Sequence, residues 1–272
     1  VCPSVQVKEV QEYWDRRPCN INHGVSPVGT LAWSREVTQR KYFVEPHIRE
    51  FAQFPRWYGK KVLEVGCGIG TDTLEFVRAG AKVVALDLSD ESLKIAANRF
   101  DVEGLWFRKT DGAERKISFW HANAENHIPL KNYDLAYSFG VLHHTPRPEL
   151  VLRNIYEALK PGGELRIMLY ARLSAKFLLD EQPEAQAGCP IVRTYTGLRA
   201  RSLLNMIGFQ VESVSKAHIF PWRVEDYVHH RYVKRWPYRL MPAKVFSILE
   251  RVAGHHLLIV ARKPKSIAWW PS

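Results

Sequence analysis

Cysteine is scarce. The 272 residues hold four, Cys2, Cys19, Cys67 and Cys189, and no two stand at CxxC spacing. That argues against a zinc ribbon and against a disulfide scaffold, and it suits a reducing compartment. No apolar run reaches the ~18 residues a membrane span needs, and the N-terminus lacks the basic-then-apolar order of a secretion signal. Val1 stands where a Met would open an unprocessed chain, as after a processed or trimmed start. The cytoplasm is therefore the expected location. Internal repeats and low-complexity stretches are missing too, which leaves an ordinary folded chain.

What is present is core-forming material and positive charge. Hydrophobic residues make up 46% and aromatics 12%, enough to bury a substantial core. The net charge is +11. Such a balance suits nucleic acid, anionic lipid or an anionic small molecule, and equally an ordinary basic enzyme.

The hydrophobic pattern divides the chain into three parts: 1–58, 59–217 with 255–265, and 218–254. The first reads as a helical extension or cap. A short amphipathic helix spans Lys8 to Arg17 and stops at Pro18, and a second runs from about Ser34 to Phe54. From Lys60, strands alternate with helices: KKVLEVGC, AKVVALDLS, ISFWHANA, YDLAYSFGVL and ELRIMLYAR are strands, with helical segments after the first, second and fourth. Ser89 is placed to cap the second of these helices, and PGG stops the one before the fifth strand. A helix ending at Gly208 and strands FQVESVSKAHI and HHLLIVARK follow. Alternation of this kind builds a parallel sheet with right-handed crossovers. Residues 218–254, rich in aromatic and basic side chains, read as a lid inserted before the last strand.

The chemistry sits at strand ends. Glu64-Val-Gly-Cys-Gly-Ile-Gly70 closes the first strand, and its glycines let backbone approach a ligand at a helix N-terminus. The spacing is not that of the dinucleotide fingerprint, and a tight turn without ligand gives the same pattern. Asp87 ends the second strand, where a carboxylate can accept from both hydroxyls of a ribose, or simply cap a turn.

The ordered segments VLEVGCGIGTDT, VVALDLSDESLKIA, HANAENHIPL, YDLAYSFGVLHHTPRPE and LKPGGELRIMLY resemble the successive motifs of class I S-adenosylmethionine-dependent methyltransferases, nearest the ubiquinone/menaquinone-type and small-molecule branch. The resemblance runs from Lys60 to Arg172 and more loosely beyond. It implies an α/β Rossmann-like sheet of seven strands, mostly parallel, with helices on both faces and the last strand antiparallel between the fifth and sixth. It implies S-adenosylmethionine as cofactor and S-adenosylhomocysteine as product, held by Glu64, Gly66, Cys67, Gly68, Gly70 and Thr71 at the turn. Asp87 and Leu88 would meet ribose and adenine, Asn123, Ala124 and Glu125 would flank the adenine, and Phe139 and Gly140 would lie near the sulfonium. Asn123 stands where the family pattern usually has Asp; its amide oxygen can still accept from the adenine amino group.

His143 and His144 follow the fourth strand, where a neutral imidazole could take a proton from an acceptor, or merely pack and orient a loop. Tyr42, His47 and Tyr170 are further candidates at the acceptor site, with Trp222, Arg223 and Tyr227 from the lid. These suit an aromatic or anionic acceptor, although basic stems also cover apolar surface with their charge in water. The leading expectation is methyl transfer to O, N or C of a small metabolite, with no metal. An RNA methyltransferase is the alternative suggested by HHRYVKRWPYR, but no appended RNA module and no Asn/Asp-Pro-Pro-Tyr motif accompanies it. An arsenite-type enzyme would need converging cysteines, and a scaffold that binds cofactor without catalysis stays open, because fold alone does not fix function. Trp269 and Trp270 are candidates for a partner or membrane-surface contact, and a homodimer through the N-terminal helices is a further option.

Overall fold

Alternation along Lys61–Val65 (β1) sends Val62 to one hydrophobic cluster and Leu63 to another, as the period-two geometry of a strand demands. Every later strand stacks beside it in the same way. The computed structural model describes residues 7–106, 116–178 and 188–265; Cys2, Trp269 and Trp270 lie outside them. Strands β2 (Lys82–Asp87), β3 (Ile117–His121), β4 (Tyr133–Phe139), β5 (Leu159–Tyr170), β6 (Gln210–Ala217) and β7 (His256–Arg262) complete one sheet in the order β3-β2-β1-β4-β5-β7-β6. The pairs among β1 to β5 are parallel, while β7 runs antiparallel to both β5 and β6. The expected seven-stranded topology, with the last strand inserted between the fifth and sixth, is the one observed.

Ten α-helices accompany the sheet among the described residues: α1 (Val7–Arg16), α2 (Leu31–Val44), α3 (His47–Ala52), α4 (Thr71–Arg78), α5 (Asp90–Val102), α6 (Pro148–Ala158), α7 (Ala175–Leu178), α8 (Gly197–Ile207), α9 (Val224–Tyr227) and α10 (Ala243–Ala253). Helices α6 and α8 bury Val151, Leu152, Ile155 and Leu204 against the face that carries Leu63 and Ile167. The opposite face, with Val62, Val83 and Leu135, receives Leu74 and Phe76 of α4, Phe100 of α5 and Phe51 of α3. Ser89 caps α5, its hydroxyl accepting from the Ser92 amide at 3.1 Å, as its position in the sequence suggests.

Three differences from the sequence reading have local causes. The helix expected over Ser34 to Phe54 is broken into α2 and α3, because Pro46 has no N–H to continue the ladder; Glu45 caps the first piece through its amide to the Lys41 carbonyl at 2.8 Å. Helix α6 ends at Ala158, since Lys160 precedes a proline and is biased toward extended backbone; β5 accordingly begins before the Gly162-Gly163 pair. In the inserted segment α10 forms as an amphipathic helix on β6, hidden in the sequence by surrounding aromatic and basic residues.

One buried cation joins the N-terminal helices to the sheet. The Arg99 guanidinium, wholly enclosed, donates to the Ser34 carbonyl (3.0 Å), Thr38 Oγ1 (2.8 Å), the Ile69 carbonyl (2.9 Å) and Thr71 Oγ1 (2.7 Å). Five N–H groups in a fixed fork make arginine the side chain for this task. It fixes α2 against the turn after β1.

Candidate active site

That turn is shaped by its glycines. Gly66, Gly68 and Gly70 all have positive φ, between 53° and 76°, a region costly for other residues. Their surroundings differ. A Cβ at Gly66 would stand 2.2 Å from Val141 Cγ2, so the loop after β4 needs this position bare. A Cβ at Gly68 meets nothing within 4 Å. The space over Gly68 is the cradle in which a ligand can approach backbone closely, and it suits the cofactor the motifs imply. Cys67 is buried beside it, and burial pushes its thiol up; Thr71 is the hydroxyl engaged by Arg99.

Asp87 ends β2 directly beside the cradle. Its Oδ2 accepts from the Gly68 amide at 2.7 Å and its Oδ1 from Ser89 at 2.8 Å. Lone pairs remain on both oxygens, so a ribose diol can still be received. Glu64 lies under the turn, 3% exposed, and accepts from the Thr73 hydroxyl at 2.6 Å. Burial, reinforced by Asp72, raises its carboxyl above the usual range.

The segment after β3 is held mostly by its own contacts. Asn123 Oδ1 accepts from the Glu125 amide at 2.9 Å, and the Ala124 carbonyl accepts from Asn154 at 2.8 Å. Glu125 is buried and takes two bonds from Arg147, at the backbone N and at Nε, both 2.9 Å. Its carboxylate thus anchors the start of α6, a task the motif did not suggest. The Leu88 carbonyl is 3.0 Å from His121 Nε2, so the main chain here leads to an imidazole.

Past Phe139, Gly140 turns with φ of 82° into a 3₁₀ turn carrying His143 and His144. Both rings are buried, His143 completely. His143 stacks on Tyr170 with centroids 3.7 Å apart, and neither of its nitrogens has a hydrogen-bond partner among the described residues. His144 donates from Nδ1 to the Ile191 carbonyl at 2.7 Å, which leaves the lone pair on Nε2. Burial lowers both, His144 to about 4, so both are neutral near pH 7. His47, His218, His255 and His256 continue this group around Tyr170 and Phe139. Each arrives from a different part of the chain or from a strand end, so sequence spacing gave no hint of their meeting.

The remaining candidates separate. His47 and Tyr170 lie in the histidine group. Tyr42 is instead packed in the core, its ring against Phe54 and its hydroxyl donating to Asp72 at 2.8 Å. Asp72 also accepts from Lys41 at 2.8 Å and Tyr137 at 2.9 Å, which makes it the centre of a buried polar network. Trp222 stacks on Phe43 at 6.0 Å, and Tyr227 receives the Arg40 guanidinium over its ring at 4.3 Å. Arg223 points back at Glu225 (2.7 Å), and Arg231 at Asp226 (2.9 Å). The basic charge of this segment is thus partly neutralised by its own carboxylates.

Arg40, to which the sequence gave no role, ties down the inserted segment, and Cys19 lies near the strand ends. Arg40, buried on α2, donates to the Tyr227 carbonyl at 2.6 Å and contacts His230, drawing the inserted segment down. Cys19 keeps accessible surface, yet crowding by protein pushes its thiol up to about 11, with Lys41, Glu45 and Asp87 all close enough to act on it. The N-terminal segment therefore reaches over the strand ends.

The family described as "Methyltransferase domain" matches residues 63–167. A ubiquinone biosynthesis O-methyltransferase of Proteus mirabilis is 31% identical over 110 residues, 40% of this chain and 41% of that protein. One from Aliivibrio fischeri is 30% identical over 138 residues, 47% and 55% of the two chains. The chain thus spans about half the length of these curated relatives. Among solved structures, the magnesium protoporphyrin IX methyltransferase of Synechocystis PCC 6803 with bound SAM superposes at a TM-score of 0.59, 13% identity, covering 97% of this chain and 99% of that one. The [4+2]-cyclase SpnF superposes at 0.60 with 19% identity over 97% and 98%. These likenesses are of fold, and one of the two is named for a different reaction.

Proposed function

We propose that the chain is a class I S-adenosylmethionine-dependent methyltransferase that methylates a hydroxyl of a small aromatic acceptor. S-Adenosylmethionine, when bound, supplies an electrophilic methyl group on sulfur. The observation that carries the reading is the convergence at one sheet edge of the open cradle at Gly68, the Asp87 carboxylate and Phe139. Ligands of open α/β sheets bind at this edge.

Each group has a task it can perform where it stands. Asp87 accepts from the ribose hydroxyls, and the bare Gly68 admits the amino-acid end of the cofactor. Phe139, stacked on Tyr137 with centroids 6.2 Å apart, gives a rigid apolar wall beside the transferring group. The neutral imidazoles of His47, His143 and His144 are bases in the protonation state needed to take a hydroxyl proton at pH 7. Of these, His47 faces Phe139 at 6.0 Å, whereas His143 is sealed beneath Tyr170. Alignment and proton removal are the protein's share of such a displacement. The aromatic and imidazole surroundings favour a planar acceptor, in keeping with relatives named for ubiquinone biosynthesis. Local pairing of Arg223 and Arg231 weighs against RNA as the acceptor.

The test is calorimetric titration of S-adenosylmethionine and S-adenosylhomocysteine into wild type and Asp87→Ala, followed by transfer of labelled methyl to a panel of phenols and catechols. Micromolar binding that weakens in the variant, with label appearing on oxygen, supports the reading. Absence of binding by wild type overturns it.

A further inference from the structure

The break between α2 and α3 has placed a carboxylate and an imidazole side by side. Glu45 caps α2, Pro46 fixes the turn, and His47 opens α3. Facing them is His256, the first residue of β7, held in the sheet between Tyr170 of β5 and Ala217 of β6. His47 Nε2 stands 2.9 Å from His256 Nδ1, and His256 Nε2 stands 3.6 Å from Glu45 Oε1. One ligand atom from each of the three lies within 4.8 Å of the others.

The geometry points to a divalent-cation site of the zinc class formed by Glu45, His47 and His256. Two neutral imidazoles and one carboxylate, with further coordination positions left for water or an acceptor oxygen, are the donor set of many catalytic zinc sites. Metal–ligand bonds of about 2.0–2.2 Å put tetrahedral ligand atoms roughly 3.3 Å apart; one ring nitrogen of His256 with the His47 and Glu45 atoms lies within 4.8 Å, a set that must close up slightly around an ion. Small side-chain rotations would centre an ion.

Three observations make a cation fit better than a plain hydrogen-bonded cluster. Among the described residues, no donor comes within hydrogen-bonding distance of the Glu45 carboxylate; Lys41, near it, is bonded to Asp72. A largely enclosed carboxylate whose nearest cation-capable neighbour is His256 Nε2 at 3.6 Å is under-satisfied. Second, both imidazoles turn a ring nitrogen into the same space, His47 Nε2 and His256 Nδ1 lying 2.9 Å apart, where at most one of the two can carry a proton between them. Third, His218 stacks on His256 at 4.6 Å and on His47 at 5.4 Å while holding φ of 67°, strained for a residue with a side chain. It is positioned to orient the ligands or to join them. The set lies beside Phe139. A cation there would hold an anionic acceptor oxygen, with His47 then a ligand and not a base; that role rests on the methyl-transfer reading, whereas the site itself does not.

The experiment is titration of cobalt(II) into the chelator-treated protein, followed by zinc(II) displacement, with visible absorption as the readout. Wild type should bind one equivalent with the d–d bands of four- or five-coordinate cobalt. Glu45→Gln, nearly isosteric, and His47→Ala should each weaken binding by about tenfold or more, while His121→Ala, remote from the set, should not. Wild type lacking these bands would overturn the site, as would unchanged binding in both ligand variants. A thiolate-to-cobalt charge-transfer band would also overturn it, by bringing a cysteine into a donor set that holds none. S-Adenosylhomocysteine titration of the same samples separates the two readings, since cofactor binding can persist when the metal site fails and the reverse.

Discussion

Asp87 holds the Gly68 amide at 2.7 Å across nineteen positions of sequence, while its other oxygen holds Ser89. The carboxylate thus shapes the cradle before any ribose reaches it. Asp87→Asn must turn an amide NH₂ toward one of the two N–H groups. Stability should fall by about 1–3 kcal/mol from the donor left unsatisfied, and S-adenosylmethionine affinity should fall with it. Thermal unfolding with and without cofactor checks both, and a variant of unchanged stability would show that the two amide bonds contribute little.

The first two glycines of the turn should fail differently. Gly66→Ala adds a methyl 2.2 Å from Val141 on top of positive-φ strain, and should be destabilised by several kcal/mol, on the order of overpacking plus strain. Gly68→Ala meets no atom, so its cost is the backbone strain of about 1–2 kcal/mol, yet it fills the cradle. Calorimetry should show Gly68→Ala folded and weak in cofactor binding. Equal unfolding temperatures for the two variants would contradict the assignment.

Arg40 is the link between α2 and the inserted segment. Arg40→Ala removes the bond to the Tyr227 carbonyl and the contact to His230, and should cost about 2–3 kcal/mol. Limited proteolysis should then cut within residues 218–254 sooner than in wild type, with the sheet left intact. Cleavage at the wild-type rate would place the anchor elsewhere.

Acid should unfold the protein through its histidines. His23 and His218 are lowered to about 3, His47 and His144 to about 4 and His255 to about 2, all chiefly by burial, against an ordinary value of 6.5. Between pH 6.5 and 4 the unfolded chain binds protons that the folded chain refuses, so stability falls as pH falls across that window. Glu45, raised to about 7, acts in the opposite sense between 4.5 and 7, where the folded state keeps a proton the unfolded one loses. Glu64, Asp87 and Glu250 are raised as well, but four carboxyls against eight lowered imidazoles still leave a net loss on acidification. Unfolding temperatures from pH 7.5 down to 4.5 check it, and a flat profile would mean that these rings are solvated.

The order of elements was legible because each strand of the sheet is flanked by its own punctuation: Gly66–Gly70 after β1, Ser89 before α5, Gly208 after α8. The glycine turn and Asp87 could be read for the same reason, as their meaning lies in spacing along one βαβ stretch. What assembles across the fold could not. Glu45 was hidden by reading α2 and α3 as one helix through Pro46. His218 and His256 are ordinary histidines until β7 brings them to His47. Tyr42 looked like a pocket residue since nothing in its neighbourhood reveals that Asp72, thirty positions on, takes its hydroxyl. Nothing in the sequence marks Arg40 or Arg99 as special, although both are enclosed.

The reversed direction of β7 has a consequence for how such a protein diversifies. Ala217 at the end of β6 and His256 at the start of β7 are direct cross-strand partners, so residues 218–255 leave the sheet and return to it at one point. Topologically they are a hairpin connection, whatever they contain. The sheet registers neither their length nor their sequence, and loop-closure entropy grows only slowly with added residues. The segment can therefore change in length and sequence while strand register and the glycine turn after β1 stay as they are.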